Sequence, residues 1–254
     1  MGKKKFKRYD HSDGFFQSAN RGPKGPVRKF LEIWLENVWT LIPLNVMYAM
    51  LRCLLIPGGL AQAGMTKVTL DLSRQRHSFI AADFFETIRK SWRKALPAGL
   101  LILLLWIFLL FTGWFYFTSA GLLATMGLGC CMMAMFYLSL VEHYVYLQIV
   151  LLKLPMKKAF KNACILVFVD WKKNLMIGLL RLAYFALMLV IFMLLPYTVT
   201  PALLLLLTVC FYPGLMQLLI QYLVFPGVKT YLIDPYYAEH PEEDLERRKD
   251  MGML

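Results

Sequence analysis

Residues 92–101 read Trp-Arg-Lys-Ala-Leu-Pro-Ala-Gly-Leu-Leu, and residues 171–180 read Trp-Lys-Lys-Asn-Leu-Met-Ile-Gly-Leu-Leu. The two stretches lie 171 − 92 = 79 residues apart. Each closes a basic amphipathic segment and opens a long apolar run. A helix that lies in the membrane surface and turns up into a span has this pattern, with Trp, Lys and Arg at the interface and aliphatic residues beyond it. Self-similarity at a fixed period reveals a building unit. The unit here is a membrane hairpin plus an elbow.

Composition agrees. The chain of 254 residues is 59% hydrophobic and only 17% charged, with a mean hydropathy of +0.54, which excludes an ordinary soluble domain. A spanning helix needs roughly 20 mainly apolar residues, so the length holds five or six spans in one membrane domain. The net charge of +12 would suggest nucleic acid in a soluble protein. Here the basic residues cluster beside the spans, so they are assigned to topology and to anionic lipid, with no nucleic-acid partner expected. The basic start, Met1 to Arg8, is followed by no apolar segment until about Trp39, and no cleavable signal is expected. Cys53, Cys130, Cys131 and Cys210 fall in expected spans and Cys164 in an elbow. They form no metal-ligand spacing and read as small apolar residues, a redox role for Cys130–Cys131 being the alternative.

Taken in order, residues 1–29 form a basic cytoplasmic arm broken by Gly22, Pro23, Gly25 and Pro26. The membrane domain covers residues 30–233, and a charged cytoplasmic tail covers 234–254. The first span runs from about Asn37 to Ile56, with Pro43 placed to kink it, and Pro57-Gly58-Gly59 makes a tight turn. Leu60 to about Arg76 is the weakest span, since it carries Gln62, Thr66, Lys67, Thr69 and Asp71. A five-span reading would leave it outside the membrane. Six spans put every basic cluster (3–29, 74–94, 153–173, 229–249) on one side and uncharged loops at 57–59, 118–120 and 196–200 on the other, as the positive-inside bias requires.

The first elbow, 79–95, places Phe84, Phe85, Ile88, Trp92 and Ala95 on one helical face with charges opposite, and Pro97 is expected in the first turn of the third span. The fourth run, Gly121 to Leu152, is interrupted only by Glu142, His143 and Gln148. A second elbow occupies 155–173, the fifth span is Leu175 to Leu195, and Pro196 and Pro201 frame the next turn. The sixth run, Ala202 to about Leu232, contains Pro213-Gly214, which echoes Pro57-Gly58 at 213 − 57 = 156 residues and suggests a third hairpin. The expected fold is therefore all-α: a polytopic bundle of six spans in repeated hairpins with interfacial amphipathic elbow helices.

A basic start, an Asn37-x-Trp39 pair, a Pro57-Gly58 turn, a short polar second helix and an aromatic-basic elbow (Asp83-Phe84-Phe85 to Trp92) together resemble the YesL-like family of small bacterial membrane proteins. The resemblance covers roughly residues 30–233; the basic arm and the tail exceed what the family core needs. It implies a bacterial plasma membrane of the Gram-positive type and work beside the permease or ATPase subunits of an ABC-type carbohydrate importer, while the charge pattern places both termini in the cytoplasm. It carries no catalytic residues.

No G-x-x-x-x-G-K-[ST], H-E-x-x-H or G-x-S-x-G motif is present, and Gly127-x-Gly129 reads as helix packing. The expectation is a non-enzymatic protein without cofactor or metal. Ionisable residues deep in a span are functional candidates. Arg52, Asp71 and Arg181 lie near enough to span ends to snorkel. The candidate intramembrane cluster is Gln62, Lys67, Glu142, His143, Gln217 and Gln221, with Lys67 and Glu142 expected to pair because the 79-residue offset aligns Glu142 with Ala63, one turn before Lys67. The candidate docking elbows are Arg89, Lys90, Trp92, Arg93 and Lys94, and Lys157, Lys158, Trp171, Lys172 and Lys173. Their other reading is anchorage on lipid phosphates. The leading function is an accessory or regulatory subunit of a carbohydrate transport system. The alternatives are a stand-alone transporter or channel, or an oligomeric scaffold.

Overall fold

The computed structural model describes residues 25–76, 78–152, 154–194 and 198–235. Most of the expected basic arm, the expected turn at Pro196 and nearly all of the expected tail lie outside the described residues. The chain is all-helical, with no strand among the described residues: α1 (Pro26–Cys53), α2 (Gly58–Ser73), α3 (Ile80–Thr118), α4 (Leu122–Leu151), α5 (Met156–Val169), α6 (Trp171–Leu194), α7 (Thr200–Leu206) and α8 (Tyr212–Val228). Five-residue π segments, Leu207–Phe211 and Lys229–Ile233, join α7 to α8 and extend α8.

Among the described residues four helical stretches are long and apolar enough to cross a membrane: α3, α4, α6 and the run Thr200–Ile233. The protein is therefore membrane-embedded; α1, with 28 residues, is long enough but not apolar enough, and α2, with 16, is too short. α2 has 16 residues, of which all but Leu60, Lys67 and Ser73 are buried. It packs against α1, α3, α4 and α8. A helix enclosed by others meets no lipid, so it need not be apolar; it needs small residues and partners for its polar groups. The sequence Gly-Gly-Leu-Ala-Gln-Ala-Gly supplies the first requirement.

Gly58 and Gly59 do not form the turn. The turn is residues 54–57, reversed by Leu55 at φ 58°, in the left-handed region that a β-carbon disfavours. The glycines serve close approach instead: a β-carbon on Gly59 would lie 2.6 Å from the Gly99 Cα and 2.7 Å from the Tyr146 hydroxyl. α2 and α3 thus cross backbone to backbone. Five residues further along α2, Gly64 lies under the ring of Phe84. Those α2 sites are ~7.5 Å apart while a straight α3 would put Phe84 and Gly99 ~22 Å apart. α3 must therefore bend around α2, and Pro97 inside it supplies the weak point.

This corrects the expected first elbow. Residues 79–95 do not form a separate helix, and Pro97 does not open a span; the elbow is the first part of the continuous 39-residue α3. The second elbow does break, at Asp170, between α5 and α6. Asn174 explains the difference. Its Nδ2 donates to the Val167 carbonyl at 2.9 Å, closing the end of α5, and its Oδ1 accepts from Tyr144 at 3.2 Å. The equivalent position in the first stretch is Ala95, which offers the backbone no such alternative. Burial nonetheless runs in parallel: Ala95, Ala98 and Gly99 are buried, as are Asn174, Ile177 and Gly178, each 79 residues on.

The helical hairpins end at different heights. Gln62 lies beside His143, which fixes α2 against α4. From that level α4 continues 143 − 122 = 21 residues, ~30 Å, to its far end, whereas α2 continues 62 − 58 = 4 residues, ~6 Å. The α1–α2 turn is thus overtopped by its neighbours.

Two glycine substitutions test the crossing. Gly59→Ala has no room and is expected to lower stability by ~1–3 kcal/mol. Gly129→Ala, with nothing within 4 Å of the added carbon, is expected to change it by less than ~0.5 kcal/mol. Thermal unfolding in mild detergent should show a clear fall in Tm for the first only; equal shifts would contradict the crossing.

Candidate functional site: a polar network at mid-bundle

Polar side chains from five helices meet where α2 is enclosed. Gln62 on α2 accepts from the Tyr48 hydroxyl of α1 at 3.0 Å, approaches His143 Nδ1 of α4 at 3.4 Å, and bonds Gln217 of α8 at 3.2 Å. Gln217 in turn reaches the Thr66 hydroxyl at 3.1 Å. Arg181 of α6 meets His143 Nε2 and donates to Ser139 at 2.8 Å. A guanidinium has no acceptor, so His143 Nε2 must accept and the imidazole is neutral with its proton on Nδ1. Nδ1–H then requires an oxygen from Gln62. Exchanging the oxygen and nitrogen of the Gln62 and Gln217 amides, which coordinates alone do not fix, gives every member a matching partner: Gln62 donates to Tyr48 and accepts from His143 and Gln217, and Gln217 accepts from Thr66.

Beside this network, Arg52 Nη1 lies 3.3 Å from Glu142 Oε1 and 3.4 Å from the Gly58 carbonyl. The Glu142 side chain is 9% exposed and that of Arg52 41%. Both border a cleft of ≈190 Å³ lined also by Gly58, Gly59, Gly99 and Tyr146 and by the apolar Leu55, Ile102, Leu103 and Trp106. The Tyr146 hydroxyl is buried there without a hydrogen-bond partner.

The structure brings together Gln62, His143 and Gln217 from the expected cluster, and Glu142 next to them. It separates Lys67. That residue pairs with Asp71 in its own helix at 2.7 Å, so the expected Lys67–Glu142 pair is not formed. The reason is reach: an i,i+4 carboxylate is available on the same face, while Arg52 occupies Glu142. The fully buried side-chain amides of Gln221 and Gln148 have no hydrogen-bond partner among the described residues. Tyr48, Thr66, Ser139 and Tyr146 were not anticipated, because a hydroxyl in an apolar run gives no pattern of its own. Arg52 and Arg181 were expected to snorkel; instead both turn inward.

The elbows stay open. Arg89, Lys90, Trp92, Arg93, Lys157, Lys158, Trp171 and Lys172 are exposed, and Lys94 and Lys173 half-buried. In each elbow the residue after Trp covers its ring, Arg93 over Trp92 at 5.4 Å and Lys172 over Trp171 at 5.9 Å. Lys173 holds Asp170 at 3.1 Å. Of the described cysteines, Cys131 alone is buried, and none is bonded. Gly127 packs on the Tyr116 ring while Gly129 faces open space. Among the described residues, no group of three or more His, Cys, Asp or Glu could hold a metal ion.

These features define an all-helical membrane protein with a polar mid-bundle network and exposed basic-aromatic elbows. Comparison with protein-family models, with curated proteins and with solved structures gives no match.

A double-mutant cycle tests the pairing. Arg52→Gln and Glu142→Gln are expected to couple by ~0.5–3 kcal/mol in unfolding free energy, whereas Lys67→Gln and Glu142→Gln should add to within ~0.5 kcal/mol.

Proposed function

We propose that this protein is a non-enzymatic accessory or regulatory subunit of a bacterial membrane transport system. The carrying observation is the closure of the mid-bundle network. A transporter presents a substrate site to one face and then the other at the level of the midplane. Here Gln62, His143 and Gln217 bond to one another and to Tyr48, Thr66 and Arg181. Polar groups spent on joining helices are structural glue. The exposed cationic groups offered to a partner are at the elbows, Arg89, Lys90, Arg93, Lys157 and Lys158. The resemblance to YesL-like proteins adds the finer reading: a carbohydrate importer of the ABC type in the plasma membrane, with its permease or ATPase subunits as partners.

The topology we favour keeps both termini cytoplasmic and six helices in the membrane as three hairpins, α1–α2, α3–α4 and α6–α7/α8. The first hairpin enters from the cytoplasmic face and turns back inside the hydrocarbon. Its height supports this, as does its turn. Leu54, Leu55 and Ile56 are exposed aliphatic residues, the N–H groups of residues 54, 55, 56 and 58 all find nearby carbonyls, and Pro57 has none to satisfy. With these donors bonded, the turn presents fewer backbone groups that hydrocarbon would leave unpaired. All basic clusters still share one side, because a hairpin that turns back early has the same sidedness as one that crosses twice.

Affinity purification in mild detergent from the native membrane, with mass spectrometry, tests the role. Permease or ATPase subunits are expected at near-equal amounts, and reversing charge at Arg89, Lys90 and Arg93 together should reduce their recovery at least tenfold. Recovery of the protein alone from an intact membrane extract would contradict the proposal.

A further inference from the structure

The cleft beside Arg52 is not absorbed by that role. We propose that it is a binding site for an oxyanion, a carboxylate or a phosphate, held by the Arg52 guanidinium and the Tyr146 hydroxyl at the start of α2. Three independent observations meet there.

The first is charge. Arg52 pairs with Glu142 at 3.3 Å, while Arg181 contacts His143 and Ser139. Asp71 and Asp170 are taken by Lys67 and Lys173. His143 accepts from Arg181 and so is neutral. Among the described residues two guanidinium groups are thus met by a single carboxylate contact, and an uncompensated charge inside a membrane bundle is costly. A bound anion supplies the missing charge.

The second is unused hydrogen-bonding capacity. Among the described residues Arg52 makes its polar contacts through Nη1, leaving Nε and Nη2 for a ligand on a side chain that is 41% exposed. The Tyr146 side chain lines the cleft and its buried hydroxyl has no partner among the described residues, so it holds a donor that a ligand oxygen would satisfy. The N-terminus of α2 borders the same space with no side-chain cap, and its dipole favours negative charge.

The third is shape. The cleft of ≈190 Å³ has room for a carboxylate or phosphate group, given that a water claims ~30 Å³. Its wall of Leu103 and Trp106 is half-buried and continues onto the exposed face of α3, where Leu104, Ile107 and Phe108 are open. A tail attached to the anion would run along that face. The anion therefore comes either as a lipid head or as a free ion.

The test uses the full-length protein in an uncharged detergent at fixed ionic strength. A brominated fatty acid is titrated in, and quenching of tryptophan fluorescence is read; Trp106→Phe identifies the signal from the cleft. The expected result is saturable quenching that depends on Trp106, absent with a brominated neutral detergent. Arg52→Gln should weaken it at least tenfold and Tyr146→Phe several-fold. Glu142→Gln should tighten it, since it removes a repelling charge and frees Nη1, whereas damage to a merely structural pair would loosen it. Displacement by inorganic phosphate assigns the site to a free ion, and failure of phosphate to displace assigns it to a lipid head. Unsaturable quenching with no phosphate effect overturns the proposal. So does equal binding by wild type and Arg52→Gln, or, if that variant does not fold, by wild type and Tyr146→Phe.

Discussion

The fold depends on how closely α2 and α3 approach at Gly59 and Gly99. With a β-carbon on either, the two backbones would separate, and the space that lets α3 bend around α2 would be lost. That approach lets a helix of only 16 residues sit inside the bundle, touching α1, α3, α4 and α8 at once. Once enclosed, α2 is relieved of the requirement that governs α3 and α6, which face lipid along most of their length. Low hydropathy in α2 is a consequence of its position.

Enclosure creates a second requirement, that each buried polar group find a partner. Gln62, Thr66 and Thr69 meet it in different ways. Thr69 turns back to the Met65 carbonyl at 2.7 Å, while Gln62 and Thr66 reach α1, α4 and α8. The network adds polar ties between helices that also share apolar contacts. α6 relies on them most: after Asn174, Ile177 and Gly178 none of its residues is buried, and Arg181, with Asn174 nearer the start of the helix, tethers it to α4. The neutral state of His143 follows from that tether.

Much of this was legible in the residues. The Trp171 stretch marks where α5 breaks and α6 begins, and the long apolar runs mark the helices able to cross a membrane. The polar character of residues 62–71 pointed to the unusual helix. What the sequence does not carry is which carboxylate an arginine chooses. Alignment under the repeat put Lys67 near Glu142, yet side-chain reach along one helix gives Lys67 to Asp71. The fate of the elbows turned on one residue pair, Ala95 and Asn174, whose difference is a single capping hydrogen bond. Tyr146 was invisible because its ring packs like any aromatic residue in an apolar run; only the unpartnered hydroxyl distinguishes it.

The central claim is that the α1–α2 hairpin turns back within the bilayer, so that its glycine crossing, network and cleft all lie at depth. Spin labels at residues 55 and 119, in a cysteine-free background and a lipid bilayer, measure this directly through accessibility to oxygen and to a water-soluble nickel chelate. From the crossing, α3 runs 118 − 99 = 19 residues and α2 only 59 − 55 = 4 residues to their turns. Residue 55 is therefore expected ~20 Å deeper than residue 119, in oxygen-rich hydrocarbon, with residue 119 open to the chelate. Equal depth for the two labels would contradict the account.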